Sequence, residues 1–228
     1  PMTFPGLEGE VAYDPRPISR AGSKRLIEMG FEVAATRNGA PSDGQRRVSC
    51  IDKSNVTRGC QLFRSTFESI AQQHPDTEAD YGYIDAFMQW ITRSPEHYDV
   101  VVTSNMFGDI STDLGAVLQG GMGMAASGNI GDEHAFFEPV HGSAPKHAGQ
   151  NKVNPIASIN SIQMMMDYLG RKTGEDELLD IARLIDDSVA DNLRDGKLVT
   201  YDIGGTATCS GVGSAIADRL AAKLSERF

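Results

Sequence analysis

Two aspartates one helical turn apart are the first residues in this sequence that could do chemistry. Asp109 and Asp113 lie in the segment NMFGDISTDLG, and on a helix their Cβ atoms would be roughly 5–6 Å apart. Such carboxylates repel each other unless a cation or the helix N-terminus offsets their charge. A solvated acidic first turn is the ordinary alternative. The pair nevertheless follows a run of valines, at the edge where open α/β sheets bind ligands, and hard oxygen donors suit Mg²⁺ or Mn²⁺.

A third aspartate and a lysine lie at two other predicted strand ends. Asp85, in YGYIDAFMQW, is flanked by apolar and aromatic residues. An aspartate there is either a helix N-cap or a further acid of the site. Lys53 follows Asp52 directly in CIDKSNV. Most lysines at such positions are solvated, but one held near a metal ion and a carboxylate can release its proton and serve as a base.

The glycine-rich stretch that follows offers a loop rather than a catalytic motif. GGMGMA, residues 120–125, has the outline of a dinucleotide fingerprint, but it follows a helical segment and opens no obvious helix, so we reject it and expect a close backbone crossing. His141 and His147 are separated by Pro145 and have no third soft ligand nearby for zinc. The loop HGSAPKHAGQNKVNP, with backbone N–H groups near Lys146, is either a nucleotide cradle or a turn-rich connector. No catalytic Ser/His/Asp or Cys/His set is supported.

The elements that must position these residues alternate between strand and helix. Residues 1–17 are rich in Gly and Pro and predict an extended arm, after which Ser19 caps a helix over RAGSKRLIEMGFEVA. Strands are predicted at 46–52, 77–85 and, as a buried run of valines, 99–105; helices are predicted at 55–73, 86–94 and 108–119. A poorly periodic region spans 120–149, and three helices close the chain at 155–170, 175–193 and 213–228. This order predicts a layered α/β fold with a mixed, partly parallel sheet.

Composition limits the partners of the chain. The 21 Lys and Arg against 31 Asp and Glu give a net charge of −10, which argues against a broad phosphate-tracking surface for nucleic acid. Three cysteines form no CxxC pair and cannot all be bridged, which favours a reducing compartment. No apolar run approaches the ~20 residues that span a bilayer. We therefore expect a cytoplasmic protein with neither nucleic-acid nor membrane partners.

Six segments, in this order, resemble the isocitrate/isopropylmalate dehydrogenase family: DKSNV, YIDA, SNMFGDISTDLG, GNIGDE, FFEPVHGSAPKHAGQNKVNP and TYDIGGTAT. The resemblance runs across nearly the whole chain from about Ile18, and several motifs in order are more specific than any one of them. It implies an isopropylmalate dehydrogenase-like fold. Residues 1–112 would form a small α/β domain with the arm and the dimer interface, and residues 113–228 the carboxy-terminal part of the large nucleotide-binding domain.

The resemblance also implies roles for individual residues. Asp109 and Asp113 would bind Mg²⁺ or Mn²⁺ together with Asp85, and Lys53 would act in proton transfer. The family's matches to Lys53 and Asp85 reach into the partner subunit's site, so the resemblance implies a homodimer with shared active sites. The adenosine end of the cofactor would be lined by His141, Gly142, Ser143, Ala144, Pro145, Lys146, His147, Asn154 and Tyr201.

The signals for the cofactor are mixed. Lys146 followed by His147 is similar to the Lys-Tyr pair of NADP-dependent isocitrate dehydrogenases, and a cation suits a 2′-phosphate. Tyr201 also resembles that class. Gly205 stands where that class has an arginine, however, and DIGGTAT is similar to the NAD type. NADP is favoured over NAD.

The reaction that the resemblance implies is oxidative decarboxylation of a 2-hydroxy acid with a β-carboxylate. Isocitrate is favoured, and 3-isopropylmalate, homoisocitrate and tartrate stay open. Relatives begin with a GDGIGPE-like strand and loop, then supply substrate-binding arginines and a proton-donating tyrosine, and none of these has a match here, Tyr13 included. We therefore expect a fold incomplete at its amino-terminal end, without roughly the first third of a relative. The alternative is a catalytically incomplete fragment or a non-catalytic partner subunit.

Overall fold

The computed structural model describes residues 10–12 and 14–227. The chain divides into two compact units, Pro1–Thr112 and Asp113–Phe228. Most of the predicted arm, residues 1–9 and Tyr13, lies outside the described residues, as does Phe228 at the end of the last predicted helix. The domain roles predicted for residues 1–112 and 113–228 stay predictions.

The first unit alternates helices and strands in the predicted order. Its elements are α1 (Arg20–Thr36), β1 (Arg47–Asp52), α2 (Arg58–Ala71), β2 (Glu78–Tyr83), α3 (Ile84–Arg93), a 3₁₀ turn (Pro95–His97), β3 (Val100–Thr103) and α4 (Asn105–Leu118), which continues into the second unit. Ser19 caps α1 as predicted, because its Oγ accepts from the Gly22 N–H at 3.1 Å. The helix predicted from residue 55 begins instead at Arg58, after a turn at residues 54–56.

The strands of this unit form a parallel sheet in the order β2-β1-β3. The central strand β1 is buried along its whole length. The valines of β3 predict a fully buried strand, but in the structure only Val102 of this strand is buried. The other residues of β3 are half-exposed because the strand lies at the edge of the sheet. The α/β fold class with parallel pairing is confirmed.

One hydrophobic core fixes α1 and α2 on the sheet. Phe31 of α1 and Phe67 of α2 are almost fully buried, and their rings stack with centroids 5.6 Å apart. They pack in one cluster with Val48 of β1 and Val102 of β3. Gly30 permits this close approach, because a Cβ there would collide with Val102 Cγ1.

The second unit combines a hairpin with three helices. A 3₁₀ turn (Met122–Met124) leads into the antiparallel strands β4 (Ala126–Ile130) and β5 (Ala135–Pro139), followed by α5 (Ile156–Thr173), α6 (Asp176–Asp195) and α7 (Cys209–Arg227). The three closing helices were predicted, with the last beginning four residues earlier than expected. Their core is formed by Met124, Ile156, Val189, Val212 and Ile216.

The hairpin corrects the prediction of an irregular region over 120–149. Its strands contain Gly128, Asn129 and Pro139, which are poor strand formers and hide the periodicity. The hairpin nevertheless forms because it packs on α5. Gly128 lies opposite Phe137, and its missing side chain leaves room for that ring, which contacts Tyr168 of α5 with centroids 5.6 Å apart.

No helix among residues 10–12 and 14–227 combines the length and apolar character needed to cross a membrane.

The core of the first unit yields a stability prediction. Phe67→Ala should lower the free energy of unfolding by about 3–5 kcal/mol, because it empties a fully buried ring site. Urea denaturation followed by the fluorescence of Trp90, which lies in the same unit, measures this change. Leu26→Ala, on the exposed side of α1, is the control and should change the free energy of unfolding by about 0.5 kcal/mol or less. Equal effects of the two substitutions would contradict this description of the core.

Candidate functional site

Three of the predicted site residues follow the carboxyl ends of the three parallel strands. Lys53 comes directly after β1, Asp85 is the second residue of α3 after β2, and Asp109 lies in α4 after β3. The carboxyl ends of parallel strands meet at one edge of a sheet, which is where open α/β sheets bind ligands. The first unit therefore carries its charged candidates at a single edge.

Lys53 and Asp85 form an ion pair across this edge. Lys53 Nζ donates to Asp85 Oδ1, and it also lies 5.9 Å from the centroid of the Tyr83 ring. The hydrogen bond from Lys53, followed by the backbone N–H groups of Asp85 and Ala86, holds the pKa of Asp85 below its ordinary value of 3.8. Asp85 is therefore a carboxylate at neutral pH. It lies in the first turn of α3, whose N-cap is Tyr83, so the N-cap alternative for Asp85 is wrong.

A second ion pair fixes the backbone beside Lys53. Asp52, which is 1% exposed, accepts two hydrogen bonds from Arg64 of α2, at 2.7 Å from Nε and 3.0 Å from Nη2. It also accepts from the Ser54 N–H at 2.8 Å, and Arg64 lies over the rings of Tyr81 and Tyr83. Such a bidentate pair is geometrically specific. Sequence analysis noted Asp52 only as the neighbour of Lys53 and missed Arg64, although an arginine on the buried side of an amphipathic helix is a usable signal.

Asp109 and Asp113 lie one turn apart on α4, as predicted, and both are exposed. Within residues 10–12 and 14–227 of a single chain, no three acidic, histidine or cysteine side chains form a group that could hold a metal ion. The donor set itself, carboxylate oxygens only, fits Mg²⁺ or Mn²⁺.

The second unit contains a cavity of about 520 Å³ where the nucleotide cradle was predicted. Seven of the nine predicted cofactor residues line it: His141, Gly142, Ser143, Ala144, His147, Asn154 and Tyr201. Pro145 and Lys146 belong to the same loop but are not part of the cavity wall. The loop thus has the shape of a cradle, and the cation expected for a 2′-phosphate lies outside its wall.

Asn154 contributes to this cavity mainly as a scaffold. Its Oδ1 accepts from the Ile156 N–H at 3.0 Å, and its Nδ2 donates to Asp202 Oδ2 at 3.1 Å. Asp202 lines the cavity too and was missed by sequence analysis. Gly123 completes the contact, because a Cβ there would lie 2.7 Å from Asp202 Oδ2 and 2.8 Å from Asn154 Cβ. The atoms nearest to Gly123 belong to side chains, so the close backbone crossing expected for GGMGMA is not present at this glycine, which instead lets two side chains lie against its backbone.

Gly205 cannot be replaced by a larger residue on this backbone, since a Cβ would collide with the carbonyl oxygen of Val199. The local backbone therefore excludes the arginine that NADP-dependent isocitrate dehydrogenases have at this position. Lys152 is a cation that sequence analysis did not single out, and its Nζ lies 5.3 Å from the ring centroid of Tyr201. His147, also beside Tyr201, has a buried Nδ1 without a hydrogen-bond partner. Aromatic and basic groups therefore border one side of the cavity.

A larger cavity of about 620 Å³ lies in the first unit, beside β2 and α3. Its wall is rich in rings, with Tyr81, Tyr83, Trp90 and Tyr98 among its residues, but it includes neither Lys53 nor Asp85. Size alone does not identify a site. The smaller cavity is the better candidate for a binding site, because the residues that line it match the predicted cradle.

Comparison with known proteins is consistent with this arrangement. The sequence profile of the isocitrate/isopropylmalate dehydrogenase family matches residues 3–216. Homoisocitrate dehydrogenase of Methanocaldococcus jannaschii is 43% identical over 219 residues, 96% of this chain and 59% of that protein. Isocitrate dehydrogenase (NADP) of Thermus thermophilus is 39% identical over 196 residues, 86% of this chain and 37% of that protein.

A solved structure gives the same result. The apo crystal structure of a β-decarboxylating dehydrogenase from Thermococcus kodakarensis has a TM-score of 0.80 and 34% identity, and covers 95% of this chain and 60% of that one. The chain belongs to the isocitrate/isopropylmalate dehydrogenase family. It spans 33% to 64% of the length of the curated relatives it matches.

The Lys53–Asp85 pair predicts a pKa change. Lys53→Met should raise the pKa of Asp85 toward its ordinary value, because the largest cause of its lowering is removed. A pKa lowered by folding stabilises the folded state above the ordinary pKa, and this stabilisation is lost as pH falls through the lowered value. Carbon-detected NMR titration of the carboxyl groups measures the change. Asp43, whose pKa is lowered by Arg47, is the internal control, and an unmoved Asp85 would mean that the ion pair does not form in solution.

Proposed function

We propose that this chain acts in the NAD(P)-dependent oxidative decarboxylation of a 2-hydroxy acid that carries a β-carboxylate, with Mg²⁺ or Mn²⁺ as the metal. The observation that supports this most is the Lys53–Asp85 ion pair at the sheet edge from which α4 carries Asp109. An ammonium group beside carboxylates is suited to proton transfer next to a cation. The cavity of the second unit supplies a place for the nucleotide.

The metal would be held by Asp109 and Asp113 of one subunit and Asp85 of the partner subunit. When bound, Mg²⁺ or Mn²⁺ acidifies the substrate hydroxyl and stabilises the negative charge left as carbon dioxide departs. The mutual repulsion of Asp109 and Asp113 is then offset by its charge. In this proposal the protein works as a homodimer whose two sites each take residues from both subunits.

Lys53 would move the proton of the reaction. Its ammonium is held by Asp85 and by the fixed backbone after Asp52, so its nitrogen is presented at a defined position. As the neutral amine, the form that a neighbouring metal cation favours, Lys53 would take the hydroxyl proton during oxidation, and the ammonium so formed would return a proton later. Asp85 would serve both as a metal ligand and as the anchor of Lys53.

We propose NADP as the preferred cofactor over NAD, because Lys146, Lys152 and His147 place basic groups on or beside the cradle loop. Asp202 in the wall is the feature that favours NAD, since an acid can hold ribose hydroxyls. Isocitrate is the first substrate to test. Homoisocitrate, 3-isopropylmalate and tartrate belong in the same assay, and the relative of 43% identity is named for homoisocitrate.

The activity assay mixes the purified protein with each acid, Mn²⁺ and either NAD⁺ or NADP⁺, and follows the absorbance of the reduced cofactor. Lys53→Met should lower turnover by about 100- to 10 000-fold, the usual contribution of a general acid–base group, while cofactor affinity is kept. Lys24→Met, at an exposed lysine of α1, is the matched control and should keep full turnover.

Two results would count against the proposal. If Lys53→Met keeps its turnover, Lys53 has no role in proton transfer and is only a charged surface residue. No turnover with any acid, from protein shown to be folded, would favour the second candidate, a non-catalytic partner subunit.

A further inference from the structure

The cradle loop contains an unusual pair of backbone conformations. Among residues 10–12 and 14–227, Ala144 (φ 45°) and Asn151 (φ 50°) are the two non-glycine residues with positive φ, and both line the cavity of the second unit. A residue with a Cβ rarely adopts this left-handed conformation unless its surroundings hold it there. Such residues are concentrated at ligand sites, so the contacts that hold them are informative.

Asn151 is held by the first turn of α7. The Cys209 N–H donates to the carbonyl oxygen of Asn151 at 2.8 Å. The Ser210 N–H donates to Asn151 Oδ1 at 2.9 Å, and Asn151 Nδ2 donates to Ser210 Oγ at 2.8 Å. The first N–H groups of a helix have no hydrogen-bond acceptor within the helix. Asn151 supplies acceptors to two of these groups in α7 from a loop 59 residues away in sequence.

The α7 end of this contact is itself fixed. Val212 and Ile216, one and two turns into the helix, are almost fully buried in the core of the second unit. The helix also has a cap from its own sequence, because Thr208 Oγ1 accepts from the Gly211 N–H at 3.1 Å. Thus α7 is anchored and capped without Asn151, and the main consequence of the contact falls on the loop.

We propose that Asn151 is a positioning residue of the cradle loop, residues 141–151: by bonding the first turn of α7 it holds the loop in its binding shape before the cofactor arrives. The proposal rests on the proposed function for its cofactor. A loop that is already ordered loses less conformational freedom on binding. The apparent affinity for the cofactor is proportional to the fraction of molecules whose loop is already in the binding conformation, so a larger fraction gives tighter binding.

Three variants separate this role from simple helix capping. Asn151→Gly tolerates the positive φ and keeps the carbonyl contact to Cys209, but loses both side-chain hydrogen bonds to Ser210. Ser210→Ala removes one of them from the helix side and leaves the loop sequence unchanged. Thr208→Ala is the matched control, because it removes a cap from the same helix at a residue that does not line the cavity.

Two measurements are made on the full chain. Amide hydrogen exchange without nucleotide reports on the loop, where the His147 N–H donates to the Ala144 carbonyl at 2.9 Å and the Gln150 N–H to the His147 carbonyl at 3.2 Å. Calorimetric titration with NADP⁺ and with NAD⁺ gives the dissociation constants. Asn151→Gly should speed exchange at these amides and weaken binding by about five- to thirtyfold, the range that corresponds to one to two ordinary hydrogen bonds.

Ser210→Ala should change both quantities in the same direction by less. Asn151→Asp keeps the acceptor for the Ser210 N–H, and the Ser210 hydroxyl can turn to donate to the carboxylate, so loop exchange in this variant should match that of the unmodified chain. Thr208→Ala should lower the melting temperature and leave loop exchange and dissociation constants unchanged. Loop exchange in Asn151→Gly equal to that of the unmodified chain, or an equal effect from Thr208→Ala, would overturn the proposal. Failure of the unmodified chain to bind either nucleotide would refute the cofactor proposal instead, and exchange would still decide the role of Asn151.

Discussion

The register of the parallel pair β1 and β2 is the constraint on which the candidate site depends. Asp52 stands opposite Tyr83 at the carboxyl end of this pair, so Lys53 and Asp85, the residues just beyond, come within hydrogen-bonding distance. A slip of one residue would turn each side chain to the other face of the sheet and separate them. The register is fixed in turn by the core under β1, where Val48 and Cys50 face α1 and α2, and by the Asp52–Arg64 pair that ends the strand.

The candidate functional residues lie in two units, each of which has its own hydrophobic core. The first carries the Lys53–Asp85 ion pair and Asp109 at a sheet edge, and the second carries the cavity proposed for the nucleotide, which is lined by residues of α7 and of the turn at Gly123. Each set is shaped by contacts within its own unit, such as the Asn154–Asp202 hydrogen bond. Asp202, Gly205 and Lys152 are the positions at which the proposed choice between NADP and NAD can be examined. The proposed binding and proton-transfer roles can therefore be tested by separate substitutions.

Local signals in the sequence predicted most elements but few of the contacts. The cap at Ser19 and the helical periodicities are properties of short segments, and they located the helices within a few residues. Lys53, Asp85 and Asp109 were found because strand ends are readable from the sequence. Their pairing was not, since it depends on register. The β4–β5 hairpin was missed because Gly128 and Pro139 are poor strand formers and its stability comes from packing on α5. Asp202 and Asn151 were missed because their partners Asn154 and Ser210 are distant in sequence, whereas Arg64 was missed although its place on the buried side of an amphipathic helix is a usable signal.

The central claim, that one cation is held by Asp109 and Asp113 of one subunit and Asp85 of the partner subunit, can be tested with mixed dimers. Asp85→Asn and Asp109→Asn are purified separately, combined into mixed dimers, and titrated with Mn²⁺ under calorimetry or electron paramagnetic resonance. Each variant alone should lose tight Mn²⁺ binding. The mixed dimer should regain one tight site, because one of its two sites receives intact residues from both subunits. A mixed dimer with no tight site would contradict the account, since it would mean that each chain builds its metal site from its own residues.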